Sequence, residues 1–204
     1  MKEIIDFFSA PYTGVTAFYI TLEIVAVFFG IASVLYAKKE NIWVFPTGII
    51  STVLYVYICY QFTLYGDLVI NLYYTLMSLY GWYVWNHKTS GQSIEITKSD
   101  PLDMLKALGI FISTAAFVVG VYLYYNRFDR LTDYFDTFTS GIFFAGMWLM
   151  AHKKIEHWMF WILGNLISIP LYFVKGLGFS GLQFTIFLVL AIQGYIEWKK
   201  HLNK

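Results

Sequence analysis

Charged residues in this chain fall in short clusters separated by long apolar runs. A helix spans the hydrocarbon core of a bilayer with about 20 mostly apolar residues, and seven runs meet or approach that length. Val15 to Ala37 is apolar apart from Glu23, while Ile42 to Phe62, Leu68 to Asn86 and Ala107 to Tyr125 carry no charge. A fifth run is uncharged from Thr137 to Ala151 and is expected to begin near Leu131, with Asp133 and Asp136 in its first turns. Trp158 to Val174 and Gly176 to Ile196 complete the set. The pattern predicts an all-α polytopic membrane protein: a single membrane domain over residues 1–204 with seven transmembrane helices. Met1 to Gly14 lacks a long apolar core, so a cleaved signal peptide is not expected.

Composition agrees with the pattern. Hydrophobic residues make up 58% of the 204 and charged residues only 13%, about half the charged share of a soluble domain, which excludes a water-soluble globule. A formal charge of +1 lacks the clustered basic excess of a nucleic-acid binder. Cys59 is the only cysteine, so neither an intrachain disulfide nor a cysteine-based zinc site can form.

The few charges also set an orientation. Lys2, Arg127, Arg130 and Lys175 fall on one side of the predicted membrane, and ten lysines, among them Lys38, Lys39, Lys153, Lys154, Lys199 and Lys200, fall on the other. The positive-inside rule then puts the N-terminus outside and the C-terminus in the cytoplasm. The longest polar stretch, His87 to Asp103, becomes a cytoplasmic linker.

Several features recur in order. Lys38-Lys39 precede Trp43 as Lys153-Lys154 precede Trp158; Leu54-Tyr55 and Leu171-Tyr172 follow; Gly81 to Trp85 and Gly194 to Trp198 close each half as Gly-x-x-x-Trp. Two three-helix units, 15–86 and 131–197, are therefore expected, joined by a linker helix at 107–125. Their first helices are four crossings apart and so enter the membrane in the same direction. Parallel repeats of this kind bring a substrate site to their interface near the midplane.

The stretch Trp43-Val44-Phe45-Pro46-Thr47-Gly48, then Tyr65-Gly66-Asp67 and Tyr80-Gly81-Trp82-Tyr83-Val84-Trp85, with Trp158-Met159-Phe160-Trp161, Gly164-Asn165, Leu171-Tyr172 and Lys175-Gly176-Leu177 in the second half, resembles the PnuC-type bacterial vitamin transporters. The resemblance runs from about Val15 to Trp198. It implies a three-plus-one-plus-three arrangement similar to the SWEET sugar transporters, and facilitated diffusion of nicotinamide riboside or, in related branches, thiamine or riboflavin. It further implies that the Trp-x-x-x-Asn pair, Trp161 and Asn165 here, touches the substrate, and that a cytoplasmic kinase traps the product.

Polar residues inside a bilayer face protein or a cavity, so their helical phase is informative. Asn71, Thr75, Ser78, Trp82 and Trp85 share one face of the third helix; Trp161, Asn165, Ser168 and Tyr172 share one face of the sixth; Gln183 and Gln193 lie about three turns apart on a similar face of the seventh. Amides and large rings suit a flat heteroaromatic cation with a polar appendage. Trp161, Asn165, Ser168, Asn71, Gln183, Gln193, Trp43 and Glu23 are the candidate substrate contacts, although polar stripes also glue helices together and a lone buried carboxylate can serve packing alone. Pro46 and Pro170 are expected to interrupt the second and sixth helices, and Gly176, Gly178 and Gly181 to form a turn. His152 and His157 are five apart, off one helix face, and are expected in a loop without a metal. Asp129, Asp133 and Asp136 are expected to cap the fifth helix.

No phosphate loop, zinc pattern or nucleophile elbow is present. The expectation is a non-enzymatic uniporter of the bacterial inner membrane without a cofactor, its partners being the vitamin, the bilayer and the kinase, and with assembly into a homo-oligomer compatible with the sequence. A seven-helix receptor or an integral-membrane enzyme is the rival of another class.

Overall fold

The structure, a computed structural model, describes residues 12–62, 65–87, 94–126, 128–174 and 178–202. Seven helices run in order: α1 (Ala17–Lys38), α2 (Val44–Gln61), α3 (Tyr65–Asn86), α4 (Pro101–Tyr124), α5 (Leu131–Ala151), α6 (His157–Val174) and α7 (Gly178–Leu202). Each takes up one of the apolar runs.

Departures from the expected ends have local causes. α4 begins at Pro101 rather than Ala107: the Asp100 side chain accepts the Asp103 N–H at 2.7 Å and Asp103 accepts the Asp100 N–H at 3.2 Å, a reciprocal cap with proline at the first helical position. α5 starts where expected, at Leu131, because Asp133 accepts the Arg130 N–H at 2.9 Å. Pro46 does not interrupt α2. It lies in the first turn, where the N–H it lacks would have had no helical acceptor. Pro170 is interior to α6. Gly178 and Gly181 lie within α7 rather than in a turn, and Gly176 falls outside the described residues.

Five helices, α1, α2, α4, α6 and α7, are long and apolar enough to cross a membrane by length and composition. α3 and α5 are more polar, and α5 hides that polarity: it carries the largest set of buried residues of the bundle, Asp133, Thr137 and Thr139 among them.

Packing makes a closed cycle. α1 contacts α2, α2 contacts α3, α3 contacts α5, α5 contacts α6, α6 contacts α7, and α7 returns to α1; α4 packs on α5 outside the cycle. Two aromatic-on-glycine contacts hold corresponding places in it. The Phe45 ring would lie 2.4 Å from a Cβ at Gly81, and the Trp158 ring 2.5 Å from one at Gly194. Below them, Trp85 Nε1–H donates to the Ala151 carbonyl at 3.2 Å and Trp198 Nε1–H to the Ala37 carbonyl at 3.0 Å. Phe45, Gly81 and Trp85 stand at one constant sequence offset from Trp158, Gly194 and Trp198. At that offset the ring matched to Trp158 is Phe45 rather than Trp43. Both rings are fully buried, whereas Trp43 is 57% exposed.

These rings, with Val44, Met147, Met150 and Ile155, form the main apolar cluster, and Ile94 and Ile96 of the linker pack against it. It fills the lysine-rich end of the bundle.

Candidate functional site

α6 carries a line of side chains on one face. His157, Trp161, Asn165, Ser168 and Tyr172 follow at steps of four, four, three and four, so they stay in register along the helix. Trp161 lies about 6 Å and Asn165 about 12 Å from the helix start at 1.5 Å per residue. Asn165 and Ser168 are buried and Trp161 is half-buried. The Trp161 indole lies over Gly146 of α5, where a Cβ would come within 2.8 Å of both Cδ1 and Nε1. Only a residue without a side chain leaves room for the ring there.

His157 is the residue that the sequence misplaces. It is the first residue of α6 rather than part of a loop, and it is completely buried. Its Nδ1–H donates to the Lys154 carbonyl at 2.8 Å, which leaves Nε2 as an acceptor. Among the described residues, that nitrogen and Trp158 Nε1 have no hydrogen-bond partner. Trp161 meets the imidazole edge-on, with ring centroids 5.0 Å apart. The four-residue step from His157 to Trp161 was the available signal.

A second group gathers nearer the end opposite the lysines. Glu23 lies six residues into α1, Tyr55 six residues before the end of α2 and Gln183 five residues into α7, all about 8–9 Å from that end of their helices. The Tyr55 and Gln183 side chains interact, and Glu23 Oε1 accepts from the Tyr12 hydroxyl at 3.1 Å. Burial, with the Glu23 carboxylate adding to it, pushes the Tyr12 phenol up to about 12, so it stays a donor at neutral pH. Glu23, Tyr12 and Tyr55 line a cavity of about 240 Å³ between α1, α2 and the start of α7.

The remaining candidates are not brought to either group. Asn71 Nδ2–H donates to the Asp67 carbonyl of its own helix at 2.8 Å, and Thr75 donates to the Thr52 hydroxyl of α2 at 2.8 Å, so Thr75 ties α3 to α2. Gln193 is exposed and accepts from Lys38 Nζ at 2.8 Å. Ten residues along α7 place it about 15 Å from Gln183, at the lysine-rich end. Trp43 is at the same end and faces outward. Asp133 caps α5, and Asp136 accepts from the Tyr122 hydroxyl at 3.1 Å. Among the described residues no group of His, Cys, Asp and Glu has the arrangement of a metal site.

The lysine-rich end is closed by polar contacts beneath the aromatic cluster. Lys153, itself 8% exposed, pairs with Glu40 and lies 4.4 Å from the Trp85 ring centroid. Glu40 and Lys153 are the left-handed residues that end α1 and α5, with φ of 54° and 51°. Lys154 pairs with Asp103 at 2.8 Å. Glu156 accepts from Ser99 N–H at 2.8 Å and from its hydroxyl at 2.7 Å, and Thr97 exchanges backbone bonds with Lys153 and Ile155. The linker is thus strapped across the α5–α6 turn.

A family model for the nicotinamide mononucleotide transporter matches residues 20–200. The chain belongs to this transporter family. The match spans all eight candidate residues, and family membership makes the chain a multi-pass membrane protein of a bacterial transporter family. Among members of the family, the chain is similar to the nicotinamide riboside transporter PnuC of Neisseria mucosa, 30% identical over 190 residues covering 88% of this chain and 72% of the relative. It is also similar to PnuC of Escherichia coli, 25% identical over 202 residues and 87% and 84% of the two chains. A riboflavin/roseoflavin transporter, RibM of Streptomyces davaonensis, is 26% identical over 174 residues, 83% of this chain and 80% of the relative. The crystal structure of the vitamin B3 transporter PnuC shares the fold, with a TM-score of 0.68 over 94% of this chain and 85% of that one at 22% identity.

Proposed function

We propose that the chain carries nicotinamide riboside across the bacterial inner membrane by facilitated diffusion. The observation that carries this reading is Trp161 and Asn165, one turn apart on an inward face of α6: a large ring for a pyridinium to stack on and a buried amide able to donate and accept. The names of the relatives from Neisseria mucosa and Escherichia coli point to the same substrate.

The mechanism follows from the helical cycle. All seven helices cross the membrane, with the N-terminus outside and the lysine-rich end in the cytoplasm. Helices α1–α3 and α5–α7 are parallel repeats joined by α4. The constant offset of Phe45, Gly81 and Trp85 from Trp158, Gly194 and Trp198 supports this, as does the cycle itself: exchanging the two units exchanges the α1–α7 contact with the α5–α3 contact. The Glu40–Lys153 pair then lies on the axis between units. With aromatic cluster and linker strap closing the cytoplasmic end, the described conformation is the outward one, and the substrate reaches Trp161 and Asn165 from outside. Inward opening requires the Lys153–Glu40 and Ser99–Glu156 contacts to part. Nothing in this route uses an ion gradient, so net uptake depends on a cytoplasmic kinase that adds charge to the product.

Counterflow in proteoliposomes tests the reading. Vesicles loaded with unlabelled nicotinamide riboside are expected to take up the labelled compound, and vesicles loaded with thiamine or riboflavin are not. Exchange of thiamine or riboflavin alone would replace the substrate and keep the route; exchange of none of the three would overturn it.

A further inference from the structure

The cavity between α1, α2 and the start of α7 is shallower than the Trp161 level. Glu23 is about 9 Å from the outer end of α1, whereas Asn165 is about 13 Å from the corresponding end of α6. Its walls are aromatic: Tyr12, Tyr19, Tyr55, Phe62 and Phe179 surround the Glu23 carboxylate. The rings brace one another, Tyr12 edge-on to Phe179 at 5.6 Å and Tyr19 edge-on to Phe62 at 5.1 Å. Among the described residues no basic side chain lines the cavity, and the hydrogen bond from the Tyr12 hydroxyl orients the carboxylate without cancelling its charge. Ring faces around a carboxylate attract an organic cation and repel an anion. The size narrows the ligand further: about 240 Å³ is below the roughly 300–1,000 Å³ that engulfs a drug-sized molecule, which suits a small heterocycle.

We propose that this cavity is an outer subsite for a cationic nitrogen heterocycle, which it receives ring-first before the substrate moves on to α6, and that Glu23 selects charged rings over neutral ones. The physiological ligand rests on the transport reading above; the binding chemistry does not.

Two probes of nearly equal size separate charge from shape: 1-methylnicotinamide, a cation, and nicotinamide, its neutral counterpart. Calorimetric titration of the purified full-length protein in detergent is expected to show the cation binding at least about tenfold more tightly, the effect of one charge contact in a half-solvated site. Glu23→Gln is expected to bring the ratio close to one, and Glu23→Asp to keep most of it. Tyr19→Leu, which leaves the carboxylate and removes one wall, is expected to weaken the cation alone. In proteoliposomes Glu23→Gln is expected to raise KM for nicotinamide riboside about tenfold with little change in kcat. A cation-to-neutral ratio that is the same in wild type, Glu23→Gln and Tyr19→Leu, all melting at similar temperatures, would overturn the subsite. A ratio that falls as stated in a protein showing no nicotinamide riboside counterflow would uphold the subsite and overturn the transport reading instead.

Discussion

Gly146→Ala perturbs the candidate site without removing a polar group. A Cβ at this position would stand 2.8 Å from Cδ1 and Nε1 of Trp161 and 3.2 Å from the Phe160 Cβ, against about 3.5–4.0 Å for comfortable carbon contacts. The second approach is relieved by a few tenths of an ångström. The first requires the indole to move by about 1 Å, and because Trp161 is half-buried the ring has somewhere to go. Overpacking costs about 1–3 kcal/mol, here near the lower end, and the gain in helix propensity from glycine to alanine returns about 1 kcal/mol. Net stability should therefore change by no more than about 1–2 kcal/mol, a few degrees in melting temperature. Substrate binding should suffer more visibly. Loss of good stacking on Trp161 removes about 0.5–2 kcal/mol, a weakening of roughly 2- to 30-fold. Calorimetric titration of nicotinamide riboside, with a melting curve of the same preparation, measures both. Gly109→Ala is the control, since a Cβ there meets nothing within 4 Å; it should leave binding alone and raise stability slightly. A Gly146→Ala protein that binds as tightly as wild type would refute the placement of Trp161 against the substrate.

Other positions give contrasting outcomes. Gly194→Ala puts a Cβ 2.5 Å from the Trp158 ring, which is fully buried and has no room to turn, so a net loss of about 2 kcal/mol and a clear drop in melting temperature are expected. Among the described residues, Lys153→Met leaves Glu40 with only the more distant His201 at 3.8 Å. With Lys153 8% exposed and Glu40 26% exposed, the cost falls between surface and buried pairs, about 2 kcal/mol, and should be accompanied by faster proteolysis of the linker around Thr97. Unchanged melting and unchanged proteolysis would show that the strap does not depend on this pair.

The helices were legible because an apolar run long enough to cross a bilayer has few alternatives, and charges mark its ends. That logic fails where a helix starts among charges. Asp103 and Lys106 concealed the first turns of α4, although the Asp100 and Asp103 cap was there to be read. It also fails for proline, since Pro46 is harmless in a first turn and only its position relative to the cap says so. Matching by residue type pairs Trp43 with Trp158, whereas a ring lying on a facing glycine is shared by Phe45 and Trp158, a contact that residue type does not reveal. In the site, the α6 stripe followed from helical phase alone. Phase and depth do not say what a residue meets, however: Gln193, about three turns along α7 from Gln183, pairs with Lys38 at the lysine-rich end. Gly146 was beyond reach from sequence because its role comes from α5 meeting α6.

The most direct test of the account is the level at which nicotinamide riboside uptake stops. Proteoliposomes made without an internal pool, and given labelled substrate outside, should fill until the internal concentration equals the external one. With the membrane potential clamped at zero, the plateau should be the same with or without an imposed proton or sodium gradient, and Trp161→Ala should reach it far more slowly. Accumulation above the external concentration when a gradient is imposed with the membrane potential clamped at zero, or no uptake by the wild-type protein at all, would contradict facilitated diffusion of this substrate.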